Sequence, residues 1–215
     1  MNIFEIEFIK LSKKTRSWLG PILVFWLIMI AYPLTVEYIE DKFETTFFSV
    51  LWIAILISMM LAAEDIFTED YNDGSLEQSV LKNSSFPLLI SLKIFIYWLL
   101  IGIPISGLSF IFSFGTSEDI ILSLSTLPLS LISTYIFLNL FVLGNALSLN
   151  KGSVLGALVT MPMALPVLIA LGKSVVAIEL GINFFAFILL LLGSLSIIIV
   201  LVPIIAAYII KAHLE

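Results

Sequence analysis

Long apolar runs, divided by short charged clusters, set the pattern of this chain. Stretches of 19 to 31 residues carry no Asp, Glu, Lys, Arg or His, enough to cross a hydrocarbon core of about 30 Å as helices. The runs are unbroken rather than alternating. That excludes the in/out pattern of barrel strands and leaves helices as the spanning structure. Six spans are predicted, at about 18–36, 45–63, 94–114, 120–149, 153–172 and 186–210. The fourth and sixth runs exceed the length needed, so tilt, a kink or a re-entrant piece is expected there. The fold class that follows is an all-α integral membrane protein with six transmembrane helices and a single membrane domain over residues 1–215.

Composition narrows the chemistry. The chain is 60% hydrophobic and 12% charged, about half the usual charged share. It has no cysteine, which excludes disulfides, thiolate chemistry and Cys-based metal sites. The one histidine, His213, sits two residues after Lys211 and reads as a solvated tail residue. A net charge of −6 without a basic patch speaks against nucleic acid. The first run is too long for a signal-peptide core of about 7–15 residues and holds Pro21 and Pro33. It is read as an uncleaved span.

Lys and Arg set the orientation. Lys10, Lys13, Lys14 and Arg16 precede span one, Lys82 and Lys93 lie between spans two and three, Lys151 lies between four and five, and Lys211 follows six. Only Lys42 and Lys173 fall on the other side, beside Glu37, Glu40, Asp41, Glu44, Glu118, Asp119 and Glu179. Eight of ten basic residues thus share one side, and both termini are expected in the cytoplasm (or an organelle's matrix). Residues 1–16 set Phe4, Phe8 and Leu11 at helical spacing, with Glu5, Lys10, Lys13 and Lys14 able to face water. Ile6 and Ile9 widen the apolar face. Such a segment is expected to lie in the membrane interface.

The spans carry no ionisable residue. Proton-coupled carriers keep such groups at membrane depth, and haem ligation within the bilayer needs an axial donor such as histidine. Asn139 and Asn145 in span four read as helix-to-helix glue. Pro162 and Pro166, four apart in span five, each remove a backbone donor and predict a kinked or interrupted helix, with a possible hinge role. No phosphate-binding loop, Ser/His/Asp set or paired intramembrane acids occur, so no catalytic residues, metal ligands or directly bound cofactors are assigned. Work done by this chain needs energy from a partner.

Against that background one stretch stands out. "EDIFTEDYNDGSLEQ", residues 64–78, holds six of the sixteen acidic residues. It falls in the predicted cytoplasmic connection 64–93. "DG" at 73–74 marks a turn, with Gly74 free to take positive φ. Ser75 and Gln78 form an S-x-x-Q capping box, so a short helix is expected from Leu76 to about Leu81. Leu76 and Val80 share a face with Leu81 beside them, and Glu77 and Gln78 point elsewhere. Asn83, Ser84, Ser85 and Pro87 end it. Solvation of a membrane loop explains the charge. It does not explain the turn, the cap and the apolar pair, and a helix this short needs a surface to dock on.

"DGSLEQ", preceded by "AAEDIFTEDYN", resembles the signature of the CcmB family, permease subunits of the ABC transporter of cytochrome c maturation. The likeness extends to "GIPISGLS" in span three and to "KGSVLGALVTMPMALPVLIAL", residues 151–171. The resemblance implies an ABC-2-like permease in a bacterial inner membrane or a mitochondrial one. It implies a dimer of this chain with a dimeric ATPase subunit, CcmA, which binds the ATP. It further implies neighbours CcmC and CcmD and a haem chaperone, CcmE, with haem as the transported or handled group. By matching position, Glu64, Phe67, Asp70, Asp73, Gly74, Ser75, Leu76, Glu77 and Gln78 are carried over as the ATPase-coupling residues. Asp65 and Thr68 stand where relatives tend to have basic residues, and one basic residue is missing beside Lys151. Rival readings are an ABC-2-type permease for a lipid or drug, a passive membrane scaffold, and an ion-coupled carrier.

Overall fold

The computed structural model describes residues 3–35, 40–64, 66–82, 85–117, 120–149 and 153–214. Glu37, Asp65, Asn83, Ser84, Glu118, Asp119 and Lys151, which entered the reading of charge and helix ends, lie outside the described residues. No strand occurs among the described residues. The helices are α1 (Ile3–Lys13), α2 (Thr15–Thr35), α3 (Glu40–Glu64), α4 (Thr68–Asn72), α5 (Ser75–Lys82), α6 (Phe86–Tyr97), α7 (Ile103–Thr116), α8 (Ile120–Ser148), α9 (Ser153–Glu179) and α10 (Phe185–Leu214). A π-helical turn, Trp98–Gly102, joins α6 to α7.

Six helical stretches are long and apolar enough to cross a membrane. The fold is an all-α permease with α8 at its centre, and α3, α7, α9 and α10 all pack on it. The α8–α9 crossing is close. A Cβ on Gly144 would stand 2.6 Å from the Gly156 carbonyl oxygen, and one on Gly156 would meet the Gly144 carbonyl. Small residues at such a crossing let two backbones touch where no water drives association. α10, by contrast, leaves much of its apolar surface outward.

Three expectations change. The helix that carries the predicted third span starts at Phe86 rather than at 94, so Lys93 lies within a helix rather than in the connection before it. A lysine at the edge of an apolar run reads as a boundary, whereas Phe86, Ile90, Lys93, Ile94 and Tyr97 form one buried face of α6. Second, of the tilt, kink or re-entrant piece expected in the long runs, the last is absent: α8 and α10 are continuous helices. Third, α9 runs unbroken through Pro162 and Pro166, both on its exposed side, and past Lys173 to Glu179. It ends in a Schellman motif: Gly181, at φ +65°, donates to the Ile178 carbonyl at 2.9 Å, and Ile182 donates to Ala177 at 2.8 Å.

Candidate functional site

The acidic stretch folds into two short helices with opposite fates. After α3 the chain turns at Ile66 and Phe67, both buried. α4 follows and carries Asp70 inward, only 6% exposed. Its carboxylate is held by two cations from distant elements, Lys10 of α1 and Lys93 of α6. Lys93 is 4% exposed. It also has Glu7 of α1 at 3.9 Å, donates to the Ile66 carbonyl at 3.4 Å, and lies 6.0 Å from the Phe67 ring centroid. Lys14 pairs with Glu69 on the outer side of α4. A buried charge is tolerated only when paired and hydrogen-bonded, and this one is paired twice.

Lys10 and Lys14 were expected to face water; they turn to the acids of α4 instead. Burial works against the Lys10 charge, but the Asp70 hydrogen bond and the charges of Asp70, Glu7 and Asp73 outweigh it and raise its pKa above the usual lysine value. α1 is thereby tied to α4 by two ion pairs. From the other flank, Asn145 of α8 donates to the Glu64 carbonyl at 2.6 Å and to the Thr68 hydroxyl at 3.3 Å. The glue role holds for Asn145. Asn139 donates to Tyr135 within its own helix at 2.8 Å.

The turn into α5 uses Gly74 at φ +74°, as the "DG" pair predicts. The cap differs from the expected box. The Gly74 carbonyl accepts the first helical bond, from Gln78 N–H at 3.3 Å, so Gly74 is the N-cap. Asp73 accepts the Ser75 N–H at 2.9 Å, and the Ser75 hydroxyl reaches back toward the Asp70 carbonyl at 3.4 Å. Side-chain and backbone hydrogen bonds from Ser75 hold the Asp73 carboxyl below its usual pKa. A carboxylate is the stronger acceptor at a helix start, where the dipole favours negative charge.

α5 also divides its residues differently from the expectation. Leu76 is 2% exposed and belongs to the chain's own core, with Val80 packed against it. The apolar face expected to dock on a partner is therefore covered from within. Asp73, Glu77 and Gln78 are exposed, as is Leu81 at 81%. Of the nine carried-over residues, Phe67, Asp70 and Leu76 anchor the segment, Gly74 and Ser75 shape it, and Glu64, Asp73, Glu77 and Gln78 present an outer surface. Sequence reasoning missed the roles of Lys93 and Glu7, and the partner of Asn145. For Lys93 the signal was present, since it falls in register with Phe86, Ile90 and Tyr97.

Among the described residues no three of His, Cys, Asp and Glu converge as a metal site requires. What the arrangement can do is mechanical. A small outward-facing acidic spur is tied by buried polar links to α1, α6 and α8.

Comparison with known proteins fits that geometry. The family model described as "CcmB protein" matches residues 2–213. Heme exporter protein B of Haemophilus influenzae is 30% identical over 171 residues, covering 79% of this chain and 77% of that protein. Heme exporter protein B of Pseudomonas aeruginosa is 28% identical over 178 residues, covering 78% of each, and that of Paracoccus denitrificans 25% over 177 residues, covering 79% of each. With a family match over nearly its whole length, this chain belongs to the CcmB family.

Proposed function

We propose that this chain is the membrane permease subunit of an ABC-type transporter that serves haem export in cytochrome c maturation, and that a separate ATPase subunit drives it. Family membership supports the haem reading, since the relatives carry the name heme exporter protein B. The observation that carries the coupling reading is the spur itself. Its inner residues, Asp70 and Leu76, are buried in the bundle, while Asp73, Glu77, Gln78 and Leu81 point away from it. A partner gripping the outer face pulls on α1, α6 and α8 through links already in place.

In this reading the spur and both termini face the cytoplasm of a bacterial inner membrane. The ATPase is of the CcmA type, CcmC, CcmD and the haem chaperone CcmE complete the complex, and a second copy of this chain pairs with the first. Haem is the handled group. Lys93 does not revive an ion-coupled carrier, because its charge is held by Asp70 of the spur. A lipid or drug permease has no support from the relatives.

The test is co-purification. Glu77→Lys with Leu81→Asp changes only the outward face, so the ATPase should be lost from the purified complex while the chain remains inserted. An unchanged yield of ATPase would sink the docking claim. Leu76→Asp is the wrong probe, because it places a charge in the core.

A further inference from the structure

The third span is two helices joined by a π turn, and the halves belong to different neighbourhoods. α6 packs on α1 and α10 and carries Lys93, which binds Asp70 of the spur. α7 packs on α8 through a line of hydroxyls: Ser106 with Thr134 at 3.5 Å, Ser113 with Thr126 at 3.1 Å, and Ser123 to the Ser113 carbonyl at 3.3 Å. α8 is in turn closed against α9 at Gly144 and Gly156. One half is tied to the spur through Lys93 and the other to the central pair, while Asn145 of α8 holds only the root of the spur, at Glu64 and Thr68.

The turn between them has a physical cause. Pro104 lacks an N–H and its ring would press on the Leu100 carbonyl in a regular helix. Widening to a π turn over Trp98–Gly102 removes that pressure at the cost of one unmade bond. Trp98 marks the pivot: its indole N–H donates to Thr134 at 3.1 Å and its ring lies 5.1 Å from that of Tyr135, both on α8. Gly102 leaves room for this, since any Cβ there would strike the Trp98 indole. Single π turns inside helices concentrate at functional positions and are among the few causes of sharp kinks.

We propose that the π turn Trp98–Gly102 is the joint of the transport cycle: the spur, α1 and α6 swing together about Trp98, while α7, α8 and α9 stay as one block. The inference rests on the coupling reading above. Lys93 is then a positioning residue that carries the motion from Asp70 into α6. A rotation of about 20° at the turn displaces Leu88, roughly 15 Å down the helix from Trp98, by about 5 Å.

Because the chain has no cysteine, spin labels can be placed at will. In the purified complex with its ATPase, one pair is set at Leu88 of α6 and Leu158 of α9, and a reference pair at Ile111 of α7 and Leu124 of α8, all four exposed. Distances are read without nucleotide and after trapping with ATP and orthovanadate. The expected result is a shift of up to about 5 Å for Leu88–Leu158 and none for Ile111–Leu124. Pro104→Ala restores the missing donor and should shrink the shift. A fixed Leu88–Leu158 distance in a complex that hydrolyses ATP, equal shifts in both pairs, or an undiminished shift in Pro104→Ala each overturns the hinge. Absence of the ATPase from the complex sinks the coupling reading itself, and the hinge with it.

Discussion

α4 and α5 are neighbours in one acidic stretch, yet they place their charge in opposite environments. α4 buries Asp70 among Lys10, Lys93 and Glu7, whereas α5 holds Glu77 out in solvent and buries Leu76. Nothing in the local sequence separates the two. The difference comes from cations 60 and 23 residues away in sequence, which reach α4 and not α5. A run of acids on a membrane protein is thus not one functional unit: part of it fastens the segment and part of it faces outward.

The comparison breaks most visibly at Asp70. Asp70→Leu leaves Lys93 buried with only Glu7 at 3.9 Å as a carboxylate neighbour among the described residues, and removal of one partner from a buried pair costs about 3–5 kcal/mol. Lys10, about one third exposed, can turn to water; Lys93 cannot. Asp70→Leu with Lys93→Met should therefore recover most of the lost thermal stability in detergent, because replacing both ions leaves no orphan charge. Two additive losses would show that the two residues act independently.

The spans were legible because an unbroken hydrocarbon run has few alternatives, and the start of α5 because Asp73–Gly74 is a local turn signal. The candidate coupling segment was singled out by the same local chemistry. Its anchoring was not legible: Lys93–Asp70, Lys10–Asp70 and Asn145–Glu64 are contacts between residues 23, 60 and 81 positions apart, and a helical repeat along one segment does not encode its partner. The charge rule for span ends misled at Lys93, since a lysine paired in the bundle looks the same in sequence as one at the membrane edge. With Gly74 as the N-cap, the side-chain acceptor at the helix start is Asp73 rather than Ser75, because both can accept and only the geometry of the turn chooses between them.

Smaller effects sharpen the contrast. Asn145→Ala removes the donor to Glu64 and Thr68 but also a buried amide oxygen that has no partner. The cost should be about 1 kcal/mol, at the low end for a buried hydrogen bond, read as a drop in melting temperature. Glu77→Lys with Leu81→Asp should change stability by less than about 0.5 kcal/mol while removing the ATPase. A large loss of stability in that variant would mean that α5 is as firmly built in as α4, and the division between the two helices would fail.

The most local effect is at the junction of the two helices. Asp73 is fully exposed, and its carboxylate accepts hydrogen bonds from Ser75 that hold its pKa below the ordinary aspartate value. A group whose pKa is depressed by folding stabilises the folded form above its ordinary value, about 3.9, and loses that contribution as pH falls through the depressed one. The cap is therefore complete at neutral pH and lost only in strong acid. Amide-exchange protection at the start of α5 should drop in Asp73→Ala at neutral pH, and much less in Asp73→Asn, whose side-chain oxygen still accepts from Ser75 N–H. Protection across α4 should not change in either variant, since α4 is held by Lys10 and Lys93. A parallel loss in α4 would mean that the outward turn, rather than the buried ions, holds the spur in place.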